Sequence, residues 1–194
     1  TQRPDGRDIF QEMQAQGYRV ARSWEKAGAL PSGKTLVVAA PGNLPPPSKR
    51  GDVFRQAAVK ALDTLSRNPN GFFLMIEGSN IDKAAHSNNL EEMMEELLDF
   101  DRTAGAVLDW ASKHPGTLVV ITADHNTGAF ALTGGSREQG EITGRFGSGS
   151  HDGVAVPVYA FGAGSGDFTG IYENTDIFNK IMNALKKGAD KPVR

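Results

Sequence analysis

The spacing of apolar residues predicts that helices and strands alternate along most of the chain. Apolar positions recur about every 3.6 residues in four segments, which predicts helices over residues 6–17, 53–66, 88–114 and 175–187. Short, continuous apolar runs predict buried strands at residues 35–40, 72–76, 117–122 and 154–161, and residues 127–132 can form another short strand. Runs without polar alternation are expected where helices cover both faces of a sheet.

This alternation predicts the α/β class, with a mostly parallel sheet and helices on both of its faces. Two segments are predicted to be loops. Residues 42–52 contain three consecutive prolines, and residues 134–150 are rich in glycine, serine and charged residues. A length of 194 residues predicts one domain with its own core.

Composition narrows the possible functions. The net charge of −2 provides no basic face for nucleic acid. No apolar run approaches the ~20 residues that a membrane span needs, and the polar start TQRPDGRDIF shows no signal peptide. The chain has no cysteine, so disulfides, thiolate zinc sites and cysteine nucleophiles are excluded. Any bound metal must therefore be held by His, Asp and Glu side chains.

Residues able to bind metal collect near the ends of the predicted strands, where open α/β sheets bind their ligands. Those after strand 72–76, after strand 117–122 and before strand 154–161 are, in chain order, Glu77, Asp82, His86, Asp124, His125 and His151. Since three of the four histidines fall at these positions, a metal centre is a reasonable hypothesis.

The residue types indicate which metals such a centre could bind. Asp82 and His86 are four residues apart, so a helical turn places both on one face. Asp124 and His125 are adjacent, and just past a strand end their side chains can converge. Zinc accepts such His/Asp sets. Glu77 is a hard oxygen donor that suits magnesium.

Each of these residues also has an ordinary structural interpretation. Asp82 can cap a turn, His86 can be a hydrogen-bonded core histidine, and Asp124 can be a turn residue after a strand. His114 is expected to have no site role, because it lies at a predicted helix C-terminus, where partial positive charge is favourable.

Three segments carry a resemblance to a known family. GFFLMIEGSNIDKAAHSNN, TLVVITADHNTGAFAL and GSHDGVAVPVYAFGAG…FTGIYENTDIF resemble the C-terminal half of the alkaline phosphatases, in order and in spacing, from residue 70 to about residue 185. The start RPDGRDIFQEMQAQGY resembles the preceding segment of many bacterial members. The implied fold is the α/β domain of that family, present as its C-terminal portion, and residues 134–150 are a short loop where many members insert a larger crown region.

The resemblance implies a role for each candidate residue. Asp82, His86 and His151 resemble the ligands of one Zn²⁺, and Asp124 and His125 resemble ligands of a second. Glu77 resembles a Mg²⁺ ligand. Lys83 falls where some members place a lysine near the phosphate and others place Trp or His.

The resemblance also implies that part of the active site lies outside this chain. The serine nucleophile, an aspartate that bridges zinc and magnesium, a Ser/Thr magnesium ligand and a phosphate-binding arginine belong to the family's N-terminal half, which no segment here resembles. The chain therefore looks like a C-terminal portion whose partner is the missing half, in a protein expected to be a homodimer in the periplasm or secreted.

The implied reaction of the intact enzyme is hydrolysis of phosphate monoesters through a phosphoserine. Two alternatives remain open: a metal-dependent phosphomutase or phosphodiesterase of the same superfamily, or a non-catalytic metal-binding fragment. For the isolated chain we expect an empty or weak second zinc site and magnesium site, no phosphatase activity, and exposed apolar surface where the other half docks.

Overall fold

The computed structural model describes residues 3–28 and 33–189. The chain divides into two compact units, residues 1–53 and 54–194. Membership of both units in one larger domain stays a prediction. No helix among the described residues is long and apolar enough to cross a membrane.

The first unit contains a short parallel strand pair. Helix α1 (Ile9–Ala15) begins after Asp8, whose carboxylate accepts hydrogen bonds from two backbone N–H groups of its first turn. Strand β1 (Arg19–Ala21) pairs in parallel with β2 (Thr35–Val37), and α2 (Trp24–Gly28) follows β1. Strand β2 ends three residues before the predicted boundary. A one-turn helix, α3 (Pro47–Arg50), lies within the predicted loop 42–52.

The described residues of the second unit include the helices α4 (Val53–Leu65), α5 (Ser79–His86), α6 (Leu90–Ser112) and α7 (Asp176–Ala189). Helices α4, α6 and α7 lie close to their predicted positions, whereas at α5 the sequence indicated only a helical turn. The side chain of Asn89 caps α6 by accepting a hydrogen bond from the Glu92 N–H. The helix ends at Ser112, shortly before Pro115. A 3₁₀ turn covers Ser165–Phe168.

The strands of the second unit form three antiparallel pairs. Strand β3 (Leu118–Thr122) pairs with β8 (Val158–Gly162), β4 (Asn126–Thr127) with β7 (His151–Asp152), and β5 (Ala131–Ser136) with β6 (Glu141–Arg145). Together with β1 and β2, the described residues therefore contain one parallel and three antiparallel pairs, whereas the expected sheet was mostly parallel. Apolar runs report burial, and they do not specify the partner or direction of a strand.

Residues 72–76 form no strand among the described residues, contrary to the sequence-based expectation. Their exposure nevertheless alternates with a period of two residues. Phe73 and Met75 are 61% and 75% exposed, while Phe72, Leu74 and Ile76 are half-buried. A strand is defined by hydrogen bonds to a neighbour, and the described residues supply none here.

Two other features place the candidate site. The expected loop 134–150 is in large part the β5–β6 hairpin, with an irregularity between Leu132 and Gly134. Ala84 and Ala85 of α5 are buried against Met93 of α6, with Phe130 and Phe146 packed against them. Because these alanines fix one face of α5 in the core, its other face can present Asp82 and His86 at the surface.

Candidate metal centre

Asp82, His86 and His151 converge on one point. The Nε2 atoms of His86 and His151 lie 3.0 Å apart. The Asp82 carboxylate oxygens lie 3.3 Å from His86 Nε2 and 3.5 Å from His151 Nε2. This is the only cluster of three or more metal-binding side chains within residues 3–28 and 33–189. The structure thus brings together residues that are 65 positions apart in the chain.

These separations fit a shared cation. Ligand atoms about 2.0–2.1 Å from a tetrahedral zinc lie about 3.3 Å from one another. The three contacts, at 3.0, 3.3 and 3.5 Å, bracket this value. Asp82 uses Oδ2 toward one histidine and Oδ1 toward the other. The donor set of two imidazoles and one carboxylate is one that zinc accepts, so the residues fit the metal that the family resemblance implies.

A backbone carbonyl orients His86. Its Nδ1 lies 2.8 Å from the Gly149 oxygen, which can only accept a hydrogen bond. The Nδ1 atom therefore carries a proton, and in the neutral ring Nε2 has a free lone pair directed at the cluster. Such a bond from the second ring nitrogen is the usual support of a metal-binding histidine.

The β4–β7 strand pair positions His151. Its register joins Thr127 to His151 and Asn126 to Asp152. The Asn126 amide donates to Asp152 Oδ2 at 2.9 Å, which adds a side-chain bond to this two-residue ladder. The side chains of the cluster remain 38–50% exposed, so ligands can reach it from solvent.

The pair Asp124 and His125 lies beside this cluster. Asp124 Oδ2 is 3.2 Å from His125 Nε2, and its Oδ1 accepts a hydrogen bond from the His125 backbone N–H. The rings of His125 and His151 stack with their centroids 3.6 Å apart. The Asp124 side chain is 86% exposed, so this pair is open on one side.

Glu77 and Lys83 are both exposed, and neither belongs to the cluster. Glu77 precedes α5, and Lys83 follows Asp82 on that helix. Their assignments to magnesium and to phosphate stay predictions. His114, for which no site role is predicted, contacts Trp110: the centroids of the two rings lie 3.7 Å apart, and His114 Nδ1 lies 2.7 Å from the Trp110 carbonyl oxygen.

Sequence reasoning missed two residues that support the cluster. The Thr127 hydroxyl donates to Asp82 Oδ1 at 2.5 Å and lies 3.2 Å from His125 Nδ1. Gly149 contributes the carbonyl that orients His86. A threonine two residues after an Asp-His pair, and a glycine two residues before a histidine, are weak signals without the fold.

Comparisons with known proteins agree on one family. The family model described as alkaline phosphatase matches residues 1–144. The streptomycin-6-phosphate phosphatase of Streptomyces griseus is 31% identical, over 93% of this chain and 51% of its own length. Alkaline phosphatase H of Pseudomonas aeruginosa is 28% identical, over 93% of this chain and 47% of its own length. The chain spans about half the length of these curated relatives.

Solved structures show the same relationship. The alkaline phosphatase of the Antarctic bacterium TAB5 matches 95% of this chain with a TM-score of 0.80 and 32% identity, over 56% of its own chain. A variant of that enzyme with Mg bound in its M3 site gives a TM-score of 0.83 at 32% identity, over 57% of its chain. The expected fold class is confirmed, and so is the partial coverage of the family fold.

Proposed function

Because the chain belongs to the alkaline phosphatase family, we propose that it supplies much of the metal centre of an enzyme that hydrolyses phosphate monoesters. The observation that carries this proposal is the convergence of Asp82, His86 and His151 at the spacing of zinc ligands. Two relatives are named as phosphatases, the streptomycin-6-phosphate phosphatase and the alkaline phosphatase H, and this supports the proposal.

We assign the residues as follows. Asp82, His86 and His151 hold one Zn²⁺, Asp124 and His125 contribute to a second, and Glu77 contributes to a Mg²⁺ site. When bound, such ions neutralise phosphoryl charge and polarise the reacting oxygens. The chain's own part is to hold the ligand atoms with their lone pairs free, as the Gly149 carbonyl does for His86.

We assign Lys83 to the phosphate side of the site. It occupies the position after Asp82 on α5, and its side chain is exposed. An ammonium group there is a mobile point charge that can approach a bound phosphate. Lys83→Ala is expected to raise KM more than it lowers kcat in the complete enzyme.

The nucleophile and the phosphate-binding arginine are proposed to lie in an N-terminal half of the family fold. Exposed apolar side chains are consistent with a partner on this unit: Phe73 and Met75 before α5, and Tyr159 and Phe161 on β8, are 44–75% exposed. Large exposed apolar side chains near one another often mark an interaction surface. Homodimerisation of the intact enzyme and a periplasmic or secreted location are proposed on the family relationship alone.

The test compares this chain, a separately produced N-terminal half and their mixture, using p-nitrophenyl phosphate with zinc and magnesium. We expect no turnover by the 194-residue chain above a zinc-containing blank, because residues that act as a unit do not contribute independently. Mixing is expected to restore hydrolysis.

Two histidine variants control this experiment. His86→Ala should abolish the restored hydrolysis, whereas His114→Ala should leave it intact, because the His114 ring stacks on Trp110 and is not part of the three-residue cluster. Turnover by the chain alone, abolished by His86→Ala, would show a complete site within this chain and contradict the proposal.

A further inference from the structure

The side chain of Thr127 lies between the two sets of candidate ligands. Thr127 belongs to β4 and is 8% exposed. Its hydroxyl donates to Asp82 Oδ1 at 2.5 Å and lies 3.2 Å from His125 Nδ1. One buried hydroxyl therefore contacts a residue of each set.

Counting protons fixes the direction of both hydrogen bonds. A threonine hydroxyl has one proton and two acceptor lone pairs. Since Thr127 Oγ1 donates that proton to Asp82 Oδ1, the contact with His125 requires Nδ1–H to donate to Thr127 Oγ1. A neutral imidazole carries a single N–H, so His125 Nε2 keeps its lone pair.

These two hydrogen bonds also orient the His125 ring toward Asp124. His125 Nε2 lies 3.2 Å from Asp124 Oδ2, close to the separation of two ligands on one zinc. Thr127 also holds Asp82 in the orientation in which its two oxygens face His86 and His151. Its hydroxyl thus acts on both ligand sets at once.

We propose that Thr127 is a positioning residue that selects the Nδ1–H tautomer of His125 and orients Asp82, and so prepares both ligand sets for divalent cations. The cation part rests on the proposed function. The tautomer part concerns the metal-free chain and can be tested independently of the proposed function. His86 has an analogous support from the Gly149 carbonyl, but that group belongs to the backbone, whereas the Thr127 hydroxyl can be removed by substitution.

The first experiment reads the His125 tautomer in metal-free protein by long-range ¹H–¹⁵N NMR, in alkaline buffer where imidazoles are neutral. We expect the Nδ1–H form in the wild type and in Thr127→Ser, which keeps the hydroxyl. In Thr127→Val the tautomer should shift toward Nε2–H, since that proton can then donate to Asp124. A His125 that stays Nδ1–H in Thr127→Val would overturn the proposal.

The second experiment measures Co²⁺ and Zn²⁺ affinity of the same proteins, with the Co²⁺ visible spectrum reporting ligand geometry. Loss of a group that orients a ligand typically costs about 10–100-fold in metal affinity, and we expect that loss for Thr127→Val. The metal affinity of Thr127→Ser should stay within about threefold of the wild-type affinity. An unchanged affinity and spectrum in Thr127→Val would overturn the proposal.

Thr103→Val is the matched control. Thr103 is also buried, at 1% exposure, and its hydroxyl donates to the Asp99 carbonyl within α6. Its removal should change stability without changing the His125 tautomer or the Co²⁺ spectrum. Should Thr127→Val lose the native circular dichroism, Thr127→Ala is measured in its place. If the wild type binds no metal but Thr127→Val shows the expected tautomer shift, the proposed function is contradicted while the positioning role of Thr127 remains supported.

Discussion

The two ligand sets differ in how completely the chain builds them. Asp82, His86 and His151 come from two segments, face one another at 3.0–3.5 Å, and two of them have a second hydrogen bond that fixes their orientation. Asp124 and His125 are neighbours in sequence, and Asp124 is 86% exposed. The first set offers three candidate ligands and the second offers two.

The two sets therefore differ in how many side chains they offer to a cation. A zinc site with three protein ligands can leave its fourth position for water or substrate, whereas two ligands are fewer than a stable site normally uses. The second set is therefore expected to depend on residues supplied by another part of the protein. The His125–His151 ring stack, at 3.6 Å, keeps the incomplete pair aligned with the complete set.

The strongest test of this comparison removes a ligand from the complete set. His86→Ala is expected to lower the zinc affinity of this set by more than about 100-fold, because the variant lacks a ligand atom. Loss of a group that only orients a ligand costs about 100-fold at most. Competition titration with a chromophoric chelator measures this change. His114→Ala is the control and should bind zinc as the wild type does. Equal affinities in the two variants would show that the converged residues do not hold the metal.

A smaller effect is expected from disturbing the backbone that orients His86. A Cβ added at Gly149 would lie 3.2 Å from the His86 carbonyl oxygen, so the loop or the end of α5 must shift by a few tenths of an ångström, and we expect this shift to weaken the bond to His86 Nδ1. We expect Gly149→Ala to weaken zinc binding by about tenfold, the lower end of the effect of lost outer support.

Gly153→Ala is the matched glycine control for this variant, because a Cβ there meets nothing within 4 Å. Zinc affinity of Gly153→Ala should equal that of the wild type. If both alanine variants bind zinc equally well, the Gly149 carbonyl is not what orients His86.

The smallest effect is expected from the incomplete set. Asp124→Ala should leave the tight zinc site of the isolated chain within about twofold of its wild-type affinity, since Asp124 is absent from the three-residue cluster. Calorimetric titration should give one tight zinc per chain for both proteins. Two tight sites in the wild type, with one lost in Asp124→Ala, would mean that the pair is complete without further ligands.

Much of the helical structure could be predicted from the sequence. The apolar period placed α4 and α6 within two residues of their observed ends, and Asn89 and Pro115 mark the limits of α6. Sequence spacing also placed Asp82 and His86 on one face, because four residues are close to one helical turn.

The strand partners and the supporting residues could not be predicted in the same way. Residues 72–76 have the composition of a buried strand, but composition does not supply the neighbour that a strand needs. The β5–β6 hairpin was not predicted, because Gly134 and Gly135 lower the strand propensity of that segment. Thr127 acquires its role only because β4 pairs with β7 next to α5.

The two-residue β4–β7 ladder has a consequence for the order in which the protein folds. His86 and His151 are 65 residues apart, and the length-dependent part of closing such a loop costs about 4 kcal/mol of chain entropy. Asp82 and His86 are brought together by a single turn of α5, whose contacts are local in sequence, so we expect it to form early. His151 can join them only after β7 has docked. His151 is therefore expected to join the cluster late in the folding of this unit. The rate at which the chain acquires tight zinc binding should equal the rate of its slowest long-range folding step.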